Sequence, residues 1–152
     1  LRALMRFSCF VEGWATYGQY LAYGWDDQIT PELAEVLAVD ESVYLALYAL
    51  VDYQVNYEGM TLPELEQFLN RLFGISNPEA ARSLYQIVCE DPANYMKYYV
   101  GYLEITEMRQ AAERALGADF QLKEFHTFLL DFGPAPFALI REHFQQWLQS
   151  QM

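Results

Sequence analysis

Apolar side chains recur every three or four residues along the whole chain, and no stretch alternates with the period of two that marks a strand. This pattern predicts a first helix over about residues 3–23, with Phe10, Trp14, Tyr17 and Leu21 on one face and Gly24 past its end. Trp25 to Thr30 reads as a loop. Thr30-Pro31-Glu32 is a helix start, with a capping hydroxyl before a first-turn proline. That helix is expected to run to about Tyr57, with an interruption near Asp40-Glu41. Its second half, Tyr44 to Val55, is apolar nearly all round and is expected to be buried on most sides.

Thr61-Leu62-Pro63-Glu64 has the form of a capping box, and Leu65, Phe68, Leu69 and Leu72 follow on one face until Gly74. Asn77-Pro78-Glu79 opens a fourth helix that ends near Asp91. Pro92 opens a longer one, striped by Tyr95, Tyr98, Tyr99, Tyr102, Leu103 and Thr106 and closed by Gly117. A short helix lies between Asp119 and Phe132 and stops at Gly133-Pro134. The last carries Phe137, Ile140, Phe144, Trp147 and Leu148. Seven helices on short turns define an all-α bundle, with no internal repeat, low-complexity tract or domain linker.

Composition narrows this picture. The 152 residues suit a single domain spanning 1–152, whether whole or a fragment, able to bury about 70% of its unfolded surface if self-contained. Apolar residues at 53% and aromatics at 16% exclude a disordered chain. A formal charge of −12 argues against a nucleic acid or an anionic membrane as partner, because phosphates need a cationic face. No run reaches the roughly 18 apolar residues of a membrane span. Cys9 and Cys89 are too few and too far apart in sequence for a disulfide framework, and read as two buried thiols in a reducing setting. Leu1 to Phe7 enter the helical pattern without an initiator Met or a capping side chain, so Leu1 reads as a cut end and the location stays open.

Several side chains could carry chemistry. Glu12 lies in Phe10-Val11-Glu12-Gly13-Trp14-Ala15, at the edge of an apolar helix face, and is either an ordinary carboxylate or a third ligand for a catalytic zinc. The H-E-x-x-H pair that would complete such a site is absent from the chain, whose two histidines are His126 and His143. Glycine inside a helix costs about 1 kcal/mol relative to alanine, so Gly13 points to close approach by another backbone or a ligand, and Gly101 to close approach by another element. Asp52 sits in the apolar run Leu45–Val51, where a bare carboxylate needs a partner: an arginine, a hydroxyl, Asn56 one turn on, or a ligand imidazole. His126 has Leu122, Leu129 and Leu130 at its helical neighbour positions and reads as a core histidine, or as a donor to a developing oxyanion. His143, beside Glu142 and near two glutamines, faces solvent. The tyrosine stripe reads first as packing. There is no nucleophile elbow, phosphate loop or dinucleotide fingerprint.

Taken in order, Phe10 to Tyr17, Leu50-Val51-Asp52, Asn56 to Thr61, Pro92 to Gly101 and Phe125 to Pro134 resemble the bacterial family of domain of unknown function 885 over nearly the whole chain. Its members look like helical zinc metallopeptidases of the gluzincin kind. The resemblance implies that Glu12 is the third zinc ligand and that Tyr98 and His126 steady an oxyanion. It also matches Asp52 to the family's Val-Asp element, as a residue orienting a ligand. Asn56 stands where many relatives carry His. In the family the H-E-x-x-H segment lies shortly upstream, so the resemblance implies the C-terminal portion of a larger helical fold. Zinc and a peptide substrate then belong to the complete protein, and this chain alone is expected to bind no metal and to be inactive. An apolar face left uncovered is expected to favour self-association. Relatives occur inside cells and as exported proteins. The alternatives are a free-standing helical interaction module with a tyrosine-lined groove and a degenerate relative that kept the fold and lost the metal.

Overall fold

A computed structural model describes residues 7–152, and among them every regular element is helical. Seven α-helices follow one another: α1 (Ser8–Tyr23), α2 (Pro31–Asn56), α3 (Leu62–Phe73), α4 (Pro78–Glu90), α5 (Asn94–Leu116), α6 (Leu122–Phe132) and α7 (Phe137–Gln151), with a 3-10 turn at Gly117–Asp119. Residues 3–6 of the expected first helix, and most of the segment read as a cut end, lie outside the described residues. No described helix is long and apolar enough to cross a membrane.

The helix starts are local chemistry. Thr30 accepts a hydrogen bond from the Leu33 N–H, and Pro31 occupies the first turn. At Thr61 the capping box is complete, with the Glu64 carboxylate accepting from the Thr61 N–H at 2.8 Å and Gly74 ending α3 at φ +66°. Asn77 caps α4 through the N–H groups of Glu79 and Ala80. The start of α5 differs from expectation: Pro92 stands before the helix, and Ala93 takes a left-handed conformation, φ +63°, ahead of Asn94. A non-glycine residue there stores strain.

Two cores hold the bundle. In one, Phe10 and Tyr17 of α1 pack with Ile105, Met108 and Ala112 of α5, Phe125 and Leu129 of α6, and Ile140, Phe144 and Leu148 of α7. In the other, Val51 and Val55 of α2 meet Leu65 and Leu69 of α3 and Ala81, Leu84 and Val88 of α4. Helices α1 and α2 run against α5 and join the halves, with Tyr48 and Tyr95 rings 4.4 Å apart. An ion pair from Arg141 to Glu104 ties α7 to α5.

Three expectations need correction. Helix α2 is continuous through Asp40-Glu41. Glu41, which reads in sequence as a breaker of the apolar run, accepts hydrogen bonds from Gln19 at 2.6 Å and Tyr23 at 2.7 Å and so holds mid-α2 to the end of α1. Second, burial over the Tyr44–Val55 half of α2 is uneven: Ala49, Val51, Asp52 and Val55 are buried, Tyr44 and Leu50 are exposed, and the other six are half-buried. Third, the cysteines are not two buried thiols: Cys89 is exposed and Cys9 half-buried, with burial raising the Cys9 thiol's pKa.

Candidate functional site

The crossing of α1 and α5 organises the candidate residues. Gly13 and Gly101 meet backbone to backbone there. A methyl group added at Gly13 would overlap the Gly101 carbonyl carbon and Cα. One added at Gly101 would overlap the Cys9 carbonyl oxygen and fall 2.8 Å from Gly13 Cα. The two glycines flagged separately in the sequence are therefore each other's reason. This contact brings Glu12, one residue before Gly13, to Tyr98, three residues before Gly101. The Tyr98 phenol stands close enough to the Glu12 carboxylate to feel its charge. Its pKa is pushed up, first by loss of solvent and then by the negative charge of Glu12. At neutral pH the phenol keeps its proton.

His126 sits in a second grouping. Its Nε2 lies 2.9 Å from the Tyr17 Oη. The Trp14 and Tyr17 rings each meet the imidazole edge-on, at 87° and with centroids 5.3 and 5.5 Å away. Arg109 of α5 donates to the same Tyr17 oxygen at 3.4 Å and pairs with Glu113 at 2.8 Å. Burial, then the Arg109 charge, lowers the His126 pKa below its ordinary value, so the ring is neutral at pH 7. Tyr17 is five residues beyond Glu12, about 140° round the helix. Glu12 with Tyr98 and His126 with Tyr17 thus occupy different faces of α1. A cleft of about 300 Å³ opens beside Tyr17 and Arg109, and two of its hydroxyl groups, Tyr20 and Thr106, have no hydrogen-bond partner among the described residues.

Asp52 lies apart, in the α2–α4 core, and is 1% exposed. Asn56 donates its Nδ2 to Asp52 Oδ1 at 2.8 Å and to the Val88 carbonyl at 2.8 Å, so one amide partners the carboxylate and ties α2 to α4. The other carboxylate oxygen, Oδ2, has no partner among the described residues. His143 is exposed and hydrogen-bonds back to the Leu139 carbonyl.

No group of three His, Cys, Asp or Glu side chains comes together among the described residues in a way that could hold a metal ion. Glu12 offers one carboxylate where a catalytic zinc takes three protein ligands. By themselves, the described residues do not make a zinc site.

Sequence reasoning missed the part played by Tyr17 and Arg109. Tyr17 reads as a core position, which it also is. Arg109 continues the Tyr98, Tyr102, Thr106 stripe by one more turn, and following the stripe past Thr106 would have reached it.

The class is therefore an all-α bundle whose long α5 carries a phenol against a carboxylate and a guanidinium against a phenol–imidazole pair. The chain belongs to the family described as "Bacterial protein of unknown function (DUF885)", whose model matches residues 1–144. No curated protein and no solved structure gives a significant match.

Proposed function

We propose that this chain is the C-terminal portion of a zinc-dependent peptidase, contributing Glu12 as the third metal ligand. The other two ligands, an H-E-x-x-H histidine pair, would come from outside these residues. The observation that supports the reading is the placement of Tyr98 beside Glu12 at the glycine crossing. A carboxylate able to ligate a metal then stands next to a protonated phenol able to act as an oxyanion donor. In this reading the phenol's one O–H goes to a peptide carbonyl oxygen as charge develops there, while the Glu12 carboxylate faces the metal. His126 is the second donor in this reading. Asp52 is enclosed in the α2–α4 core with its Oδ2 out of reach of solvent, so this reading gives it no contact with a metal ligand. A zinc ion supplies the Lewis acidity when bound, and the chain without it is inactive.

The test is Glu12→Ala in the complete protein, with zinc content by atomic absorption and hydrolysis of a mixed peptide library as readouts. Loss of both is expected, with Tyr98→Phe keeping zinc and losing turnover about 10²–10³-fold. Full zinc and full turnover in Glu12→Ala would sink the assignment.

A second reading, a non-catalytic interaction module, draws on the outer face of α2. Val36, Val39, Val43 and Leu50 are spaced by three, four and seven residues on the side away from the core, 43–62% exposed. A protein that carries no zinc and hydrolyses no peptide, yet associates through this face, would favour the module.

A further inference from the structure

We infer that Arg109 and Tyr17 are positioning residues that fix His126 as the tautomer carrying its proton on Nδ1, leaving that N–H as a donor for a carbonyl or carboxylate oxygen.

The geometry allows few alternatives. A guanidinium can only donate, so Arg109 Nη1, 3.4 Å from Tyr17 Oη, takes up a lone pair on that oxygen. The phenol has one hydrogen of its own, and His126 Nε2 at 2.9 Å stands within bonding distance to receive it. A nitrogen that accepts carries no proton, so a neutral ring must hold its proton on Nδ1. The opposite tautomer would aim two donors at the phenol oxygen and leave the phenolic hydrogen without that acceptor. Arg109 is itself held, its Nε donating to Glu113 at 2.8 Å. The groups facing the imidazole are Trp14 and Tyr17 from α1, Arg109 with Glu113 behind it from α5, and Phe125 on α6. Only Arg109 among the neighbours that act on its charge is cationic, and together with burial it opposes protonation. His126 Nδ1 has no partner among the described residues, so the fixed N–H is unspent.

The use of that N–H as an oxyanion donor rests on the peptidase reading; the tautomer does not. The experiment is long-range ¹H–¹⁵N NMR of the histidine rings in this chain, followed from pH 8 to pH 5. In the native chain, His126 is expected to show a protonated-type Nδ1 and a bare Nε2 at pH 8. Tyr17→Phe is expected to collapse the preference into a mixture. Arg109→Gln is expected to weaken it and raise the His126 pKa, and Arg109→Lys, which restores a charged donor, to recover part of both. A protonated Nε2 in the native chain overturns the inference even if neither variant folds. So does an unchanged ring in both variants when they do fold. The expected tautomer in a complete protein that binds no zinc would refute the peptidase reading and leave this inference standing.

Discussion

Gly13 and Gly101 face one another across α1 and α5 so closely that neither site has room for a Cβ. Everything placed between the two helices, the Glu12–Tyr98 pair included, is set by that spacing.

Gly101→Ala should therefore be costly in spite of alanine's better helix propensity. The added methyl meets backbone, which cannot rotate away. Overpacking of this kind costs about 1–3 kcal/mol or more, or about 2–4 °C of Tm per kcal/mol in a chain of this size. Calorimetry of Gly101→Ala beside Gly18→Ala, whose site is open, isolates the effect. Equal melting of the two would mean the helices do not touch.

Asn56→Ala should destabilise through Asp52. The mutation removes the hydrogen bond that the carboxylate, 1% exposed, receives among the described residues, and the bond to Val88 with it. Stranding a buried charged group costs about 1–3 kcal/mol or more. Urea unfolding at pH 7 should show a lower midpoint with an unchanged slope.

The pH dependence should carry a His126 component. Its folded pKa lies below the ordinary 6.5, so the unfolded chain binds the proton first as pH falls. This contribution is whole above about pH 6.5. It is lost as pH drops from there through the folded value. Replacing His126 with Gln should remove that part of the decline, leaving the carboxylate part, which begins lower. Identical pH profiles between 7.5 and 5 would contradict it.

Tyr98 should titrate above the ordinary phenol range, and Glu12→Gln should bring it part of the way back, since loss of solvent is the larger cause. Ultraviolet absorbance of the phenolate, taken as the difference between the chain with Tyr98 and its Tyr98→Phe variant, with and without Glu12→Gln, reads this directly.

On the outer face of α2, Val36→Lys and Val43→Lys should leave stability within about 0.5 kcal/mol, because these side chains are exposed. If the native chain self-associates, both changes should lower its concentration-dependent light scattering.

Most of the architecture was legible because local signals agree. Thr30-Pro31, the Thr61–Glu64 box, Asn77-Pro78 and Gly74 each act within one turn, and each sits where the pattern put it. Gly13 and Gly101 were legible singly, as helix-interior glycines in need of a reason, although their pairing was not. The Tyr17–His126 and Arg109–Tyr17 bonds join residues 109 and 92 positions apart, which no local pattern encodes. Continuity of α2 through Glu41 was hidden for the same reason: its acidic residue is satisfied from another helix. Glu12 beside Tyr98 was approached only through family likeness, as periodicity gave each a face but no neighbour.

The division of the interior into an α1–α5–α6–α7 cluster and an α2–α3–α4 cluster has a dynamic consequence. Each has its own fully buried anchors, Phe125 and Ile140 in one, Leu65 and Val88 in the other. Such halves behave as separate foldons, opening with different free energies. Amide exchange should then sort into two protection classes, with the Asp52–Asn56 link following the second half while the glycine crossing stays shut with the first.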